Sequence, residues 1–179
     1  ISGFLFFIKD ENFIIKTYIH KLKKRFKSLF IPYIVWNMLV LLLYMLVQNL
    51  IPSMTTGRNK LISDYTIHDY IMSFWSMSFI NKDGVSGPID SPLWFVRDLM
   101  VMSLLSPLIY WIIQKTKLFL PLFALVAYVL GYDTGIHGLS TSAIFFFSIG
   151  AFCGINKIDF GRFAKDNLKY TLPLYIILI

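Results

Sequence analysis

The chain has 179 residues and a formal net charge of +7 at pH 7; 56% of its residues are hydrophobic and only 15% are charged. Soluble domains usually carry about 25% charged residues, so this composition and a mean hydropathy of +0.65 exclude an ordinary soluble domain. The apolar residues come in long blocks, which is typical of an all-α, polytopic membrane protein.

Six apolar stretches are candidate membrane spans. A hydrocarbon core of about 30 Å needs about 20 helical residues, and the shorter internal stretches would cross only with local thinning or protein neighbours. The predicted spans are 1–8 (partial), 29–51, 92–113, 118–132, 140–156 and 170–179 (partial). We therefore predict one transmembrane domain over residues 1–179, a helical bundle that is a fragment truncated at both ends.

Lys and Arg alternate between rich and poor loops along the chain. Loops 9–28, 114–117 and 157–169 are rich in them, whereas 133–139 holds none and 52–91 holds three, offset by four Asp. The positive-inside rule then predicts that the three rich loops are cytoplasmic and that the other two lie outside.

Two further segments have the features of interfacial helices. Residues 13–30 place apolar side chains at helical spacing and cations on the opposite face, which predicts an amphipathic helix on the cytoplasmic leaflet. Pro32 would separate this helix from the next span. Residues 66–80 are aromatic and weakly charged, which predicts a helix resting at the outer surface.

Arg97 and Asp98 bring opposite charges into the predicted span 92–113, about five to six residues from its outer end. Charges at the centre of a span cost about 2.5–3.5 kcal/mol, and less towards the interface. Neighbouring helix positions point about 100° apart, so we do not expect the two groups to neutralise each other along one face.

Two interpretations of these charges are open. In the first, both groups pair with neighbouring helices and have a structural role. In the second, which we favour because ionisable groups inside a membrane are functional by default, they line a polar pocket open to the outside. Trp94, one turn before Asp98, would then be a flat wall for a sugar or lipid-linked acceptor. Trp94, Arg97 and Asp98 are therefore the candidate acceptor-binding residues.

The basic run KLKKRFKSLF at 21–30 also has two interpretations. It can set topology and attract anionic lipid, which is worth about 1 kcal/mol per cation near the surface. It can also bind the phosphates of an anionic cytosolic co-substrate, with Lys24, Arg25 and Lys27 as candidates. Arg25 is the best suited to bidentate phosphate contact.

Other residue patterns add little chemistry. The single cysteine, Cys153, excludes an internal disulfide and a cysteine metal site. The three histidines lack metal-ligand spacing, no metal is expected, and we expect all three to be solvated loop residues: His20, His68 and His137. Gly150 and Gly154 form a GxxxG motif, which predicts close helix packing.

Four stretches resemble, in order, landmarks of the membrane-bound acyltransferase family 3, whose members are O-acyltransferases of bacterial surface polysaccharides. The stretches are ISGFLFF at the start, KKRFKSLFIPY at 23–33, SPLWFVRDL at 91–99 and FFFSIGAF at 145–152. The resemblance implies an acyltransferase for groups other than amino-acyl groups, with acyl-CoA, usually acetyl-CoA, as co-substrate and no bound cofactor. It also implies a cell-surface or lipid-linked carbohydrate as acceptor, contact with membrane lipid, no nucleic-acid partner and a multi-pass place in the bacterial plasma membrane.

The resemblance also implies roles for individual residues. Arg25 matches the basic residue of the family's loop after its second helix, and Trp94 matches the tryptophan that opens its fourth. The family's first helix, with its functional Arg and His, would precede Ile1, so we expect the catalytic residues outside this chain. Two other functions stay open: a transporter or flippase for a lipid-linked sugar, using the same charges as a pathway, and a non-catalytic membrane scaffold.

Overall fold

The computed structural model describes residues 2–8, 14–52, 59–81 and 86–158. In these ranges the chain is all-α and has no strand, as predicted; the predicted span 170–179 lies outside them. The helices are α1 (Ser2–Phe7), α2 (Ile15–Leu50), α3 (Ile67–Ser73), α4 (Trp94–Leu104), α5 (Ser106–Thr116), α6 (Phe119–Val129) and α7 (Thr141–Ile155).

Helix α2 joins two segments that the sequence separates. Its 36 residues extend about 54 Å at 1.5 Å per residue and run through Pro32. The prediction of a separate interfacial helix before Pro32 is therefore wrong. Pro32 cannot donate to the carbonyl of Ser28 and its ring crowds that carbonyl, but the turns on either side keep their hydrogen bonds and the helix continues.

Helix α2 also has the clearest membrane-spanning character in the described part of the chain. It contains an 18-residue stretch with a mean hydropathy of 2.1, of which 11% is buried. One side of the helix carries a continuous apolar strip: Val35, Met38, Leu39, Leu42, Leu43 and Leu46. The bent pair of α4 and α5 is a second candidate if it forms one broken span, and α6 and α7 are shorter apolar helices.

The predicted span 92–113 consists of two helices, because α4 and α5 meet at a bend of 67°. Pro107 has no N–H, and its ring would clash with the carbonyl of Ser103 one turn earlier in a straight helix. The hydroxyl of Ser106 instead donates to that carbonyl at 2.9 Å. The break thus satisfies the carbonyl that proline leaves without a partner.

Helices α1 and α7 cross at close range through glycines. A Cβ atom on Gly150 would lie 2.9 Å from the backbone nitrogen of Phe4, and one on Gly154 would lie 2.8 Å from the carbonyl oxygen of Phe4. The close packing predicted from the GxxxG motif is therefore confirmed. This crossing adjoins the apolar core, which consists of Phe6, Phe7, Met102, Ile109, Ile113, Phe147 and Ala151.

The segment predicted as a surface helix over 66–80 is helical only as far as Ser73, and Met77–Phe79 form a short 3-10 turn. The Ser73 hydroxyl donates to the Tyr70 carbonyl at 2.7 Å. Such side-chain bonds compete with the backbone hydrogen bonds of a helix and are therefore common where helices end. The hydroxyl of Tyr33, on α2, donates to the carbonyl of Phe74, the residue just after α3.

Candidate functional site

Arg97 and Asp98 form a buried ion pair on the first turns of α4. Nε and Nη2 of Arg97 donate to Oδ1 of Asp98 at 3.1 and 3.0 Å, and the residues are 2% and 0% exposed. The expectation that these neighbours would not neutralise each other is therefore wrong. The long arginine side chain folds back across the angle that separates adjacent helix positions.

The same pair joins α4 to two other segments. Nη1 of Arg97 donates to the carbonyl of Trp75 at 2.5 Å, and Nη2 lies 3.5 Å from the carbonyl of Ser86. The guanidinium also lies over the Trp75 ring, 5.5 Å from its centroid. Oδ2 of Asp98 accepts from the backbone N–H of Ser140, immediately before α7, at 3.1 Å. In the described ranges no buried side-chain nitrogen or oxygen lacks a hydrogen-bond partner.

Trp94 lies at the same end of α4 and is 40% exposed. Its ring contacts Phe95 edge to face, with centroids 6.5 Å apart, and its Cβ lies near Gly87. The structure therefore brings Trp94, Arg97 and Asp98 to one end of α4, with the tryptophan at the surface and the ion pair beneath it. Their binding of an acceptor stays a prediction.

His137 also lies at this end, and sequence reasoning missed it. Its Nδ1 is 2.6 Å from Oγ of Ser86, and its Nε2 is 3.3 Å from Oγ of Ser78. These partners are 51 and 59 residues away in the sequence, so no local signal pointed to the contact. The other two histidines, His20 and His68, are exposed, as expected. They lie on helices α2 and α3, so their expected position in loops is wrong.

Arg25 lies near the opposite end of α4, turned towards the protein. Its guanidinium donates to Oγ and to the carbonyl of Ser2, both at 2.8 Å, and to Oγ of Ser103 at 3.4 Å. It also lies 4.9 Å from the centroid of the Phe6 ring. The ion pairs within the described ranges are Lys60–Asp69 and the pair on α4, so no described carboxylate compensates the charge of Arg25.

The candidate donor-binding residues do not form one cluster. Lys24 and Lys27 are exposed on α2, whereas the half-buried Arg25 faces α1 and α4. Lys21, one turn before Arg25, donates to the carbonyl of Phe6 at 2.6 Å. The basic run therefore has two cations that contact α1, Lys21 and Arg25, and exposed lysines that include Lys24 and Lys27. Their role with a co-substrate stays a prediction.

The segment that carries Trp75 is anchored by Asp69 in α3. The carboxylate accepts from Lys60 at 2.6 Å and from the backbone N–H and hydroxyl of Thr66, both at 2.7 Å. The hydrogen bond from Lys60, followed by those from Thr66, holds the pKa of Asp69 well below its usual range. This network fixes the start of α3 through a capping box.

The model of a family described as an acyltransferase domain matches residues 1–179. The succinoglycan biosynthesis protein ExoH of Rhizobium meliloti (strain 1021) is 30% identical over 186 aligned residues, which cover 99% of this chain and 46% of that protein. The chain thus spans about half the length of this relative. No solved structure matches the chain. Because the family match extends over the whole chain, the resemblance is confirmed, and the chain belongs to acyltransferase family 3.

Proposed function

We propose that the protein is an integral membrane O-acyltransferase that moves an acyl group, such as acetyl, from acyl-CoA to a hydroxyl of a cell-surface or lipid-linked carbohydrate. The observation that carries this proposal is the acyltransferase family match over residues 1–179. A relative named for succinoglycan biosynthesis supports a carbohydrate acceptor.

In this proposal the protein is a multi-pass protein of the bacterial plasma membrane. The exposed apolar surface of α2 supports a place in lipid. The bent pair of α4 and α5 forms one broken span. Helices α6 and α7 are short, and their packing against neighbouring helices supports them at membrane depth.

The donor binds at the end of α4 that meets Arg25. The phosphates of acyl-CoA are anionic, and Arg25, which has no carboxylate partner among the described residues, offers them a positive charge. Lys24 and Lys27 add exposed positive charge on the same helix. Both lysines attract the donor to the surface, and Arg25 makes the closer contact.

The acceptor binds at the other end of α4. Trp94 supplies an exposed aromatic surface there, and Arg97 with Asp98 fixes the segments beside it. Arg97 and Ser103 are six residues apart, which is about 9 Å along the helix and well below the roughly 30 Å of a hydrocarbon core. This short separation supports direct transfer between a donor and an acceptor that approach from opposite sides.

The reaction replaces a thioester by an oxygen ester. The acceptor oxygen attacks the thioester carbonyl carbon, so that a C–O bond forms and the C–S bond breaks. The hydroxyl proton passes to a base, and CoA leaves as the thiol after it takes up a proton. Positive charge near the thioester stabilises the oxyanion that forms during attack.

A comparison of two strains tests the proposal. Surface carbohydrate is purified from bacteria with and without the intact protein, and its mass is measured before and after mild alkaline de-O-acylation. We expect the strain without the protein to export carbohydrate that lacks the alkali-labile acyl mass. Normal acylation together with loss of export would contradict the proposal and favour a transporter of lipid-linked sugar.

A further inference from the structure

Three polar residues and one aromatic residue cluster at the acceptor end of α4. We name this cluster the His137 patch; it consists of Ser78, Phe79, Ser86 and His137. Its position follows from one contact, because Arg97 on the first turn of α4 donates towards the carbonyl of Ser86. The patch draws on three separate parts of the chain. It is therefore a feature of the fold and is not visible in the sequence.

Each nitrogen of the His137 ring meets a serine hydroxyl. Nδ1 lies 2.6 Å from Oγ of Ser86, and Nε2 lies 3.3 Å from Oγ of Ser78. A neutral imidazole has one N–H donor and one bare acceptor nitrogen, so the ring can donate to one hydroxyl and accept from the other. The arrangement suits a ligand that presents hydroxyl groups.

The two hydroxyls differ in their freedom to leave the ring. Ser78 is half-buried and is bound a second time, to Oγ of Ser76 at 2.9 Å. Ser86 is exposed, so its hydroxyl can turn to water when a ligand hydroxyl takes its place at Nδ1. This exchange leaves no buried polar group without a partner, which is the condition under which it costs little.

Phe79 adds an apolar surface beside the hydrogen-bonding groups. Its side chain is 53% exposed, and its ring meets the imidazole of His137 edge to face, with centroids 4.7 Å apart. A sugar ring has an apolar C–H face and a polar rim of hydroxyls. An exposed aromatic plane next to an imidazole matches both parts of such a ligand.

The backbone beneath the patch is held in place before any ligand arrives. Arg97 binds the carbonyls of Trp75 and Ser86, on either side of Ser78 and Phe79 in the sequence. Gly138 packs so closely on Trp75 that a Cβ atom would lie 2.9 Å from Cζ2 of the indole. Groups that are already ordered lose little entropy when they bind a ligand.

We infer that the His137 patch is an acceptor subsite, in which His137 binds a sugar hydroxyl and Phe79 contacts the face of the same sugar ring. The inference rests on the proposed function, which supplies the carbohydrate acceptor. It assigns direct contact with the acceptor to His137, and it makes Arg97 a positioning residue that holds the carbonyls on either side of the patch.

The test uses the intact protein in membrane vesicles, acetyl-CoA as donor and chemically de-O-acylated surface polysaccharide from the producing bacterium as acceptor. His137→Phe keeps a planar ring and removes both nitrogens, and Ser86→Ala removes only the exposed hydroxyl. His137→Gln restores part of the hydrogen bonding. His68→Gln, at an exposed histidine of α3, is the matched control.

We expect His137→Phe to raise the KM for polysaccharide about 10-fold, which is the loss of one or two neutral hydrogen bonds, and to leave the KM for acetyl-CoA unchanged. His137→Gln should recover part of the loss, and His68→Gln should match the wild type. An unchanged polysaccharide KM in His137→Phe, or in Phe79→Ala if His137→Phe does not accumulate, would overturn the subsite alone. Because the sugar hydroxyl displaces that of Ser86, Ser86→Ala should leave the KM unchanged or lower it, and a loss as large as that of His137→Phe would contradict this exchange. Absence of any transfer by the wild-type protein would overturn the proposed function and the subsite with it.

Discussion

An arginine lies at each end of helix α4, and the two differ in how their charge is balanced: Arg97 belongs to the helix itself, and Arg25 reaches the other end from α2. Arg97 is 2% exposed and shares its charge with the adjacent Asp98 at 3.0 Å. Arg25 is half-buried, and its contacts are the hydroxyls of Ser2 and Ser103, a carbonyl and an aromatic ring. Among the residues that the structure describes, a carboxylate therefore balances the charge of Arg97, whereas none balances that of Arg25.

Depth in an apolar segment therefore does not by itself identify a binding group. The ion pair on α4 is the most conspicuous polar feature of the sequence. Its remaining polar atoms, however, form hydrogen bonds with backbone groups of Trp75, Ser86 and Ser140. A compensated pair attracts an anion weakly. Arg25 lies next to neutral oxygens and has no carboxylate partner in the described ranges, so it still offers its charge to a phosphate.

The largest effect should come from dividing the buried pair. Arg97→Gln or Asp98→Asn leaves one buried charge without its partner, and we expect a loss of about 3–5 kcal/mol in stability. The double substitution removes both charges and should restore part of the loss. Membrane abundance and thermal inactivation of the three variants measure this. Full abundance of both single variants together with loss of acylation would instead show that the pair contacts the acceptor.

A smaller effect should follow from substitution at the crossing of α1 and α7. Gly150→Ala places a Cβ atom against the backbone of Phe4, which displaces α1 and with it Ser2, the partner of Arg25. We expect a cost of about 1–3 kcal/mol and a higher KM for acyl-CoA, with the acceptor KM unchanged. Gly87→Ala is the control, because its Cβ would meet no atom closer than 3.5 Å. An equal response of the two variants would contradict the close crossing.

The smallest effect concerns the partly exposed pair Lys60–Asp69, whose side chains are 35% and 12% exposed. The pKa of Asp69 is lowered in the folded protein, so the carboxylate stabilises the fold above the pKa of an unfolded aspartate, about 3.9. The stabilisation is lost as the pH falls from there towards the lower, folded pKa. The Tm difference between wild type and Asp69→Asn should be constant from pH 7 to about 5 and shrink below about 4. Asp64→Asn, at an exposed aspartate of the same segment, is the control variant.

The sequence predicted those features that depend on local pattern. The all-α class, the apolar length of α2 and the close approach at Gly150 and Gly154 follow from composition and spacing. The bend after α4 was not predicted, although Pro107 is visible in the sequence, because the length and apolar character of 92–113 do not show where a span is broken. The continuity of α2 through Pro32 was missed for the opposite reason, since one proline can be tolerated where the turns beside it persist.

The site could be predicted only in part, because its contacts are non-local. Arg25 and Trp94 were found through chemistry and resemblance. The direct pairing of Arg97 with Asp98 depends on how one side chain folds back, which helical periodicity does not describe. The contacts of His137 join residues more than 50 positions apart, and a single sequence contains no signal for such contacts.

Binding of acetyl-CoA to the purified intact protein tests the contrast between the two arginines most directly. Isothermal titration calorimetry is done on four proteins: the wild type, Arg25→Ala, Lys27→Ala and a double variant that carries both Arg97→Gln and Asp98→Asn. A charge-assisted phosphate contact is worth about 1.5–3 kcal/mol, so Arg25→Ala should weaken binding roughly 10- to 150-fold. Lys27→Ala should have a smaller effect, and the double variant should bind as the wild type does. Unaltered binding by Arg25→Ala, or an equal loss in the double variant, would contradict the assignment of the donor to the Arg25 end of α4.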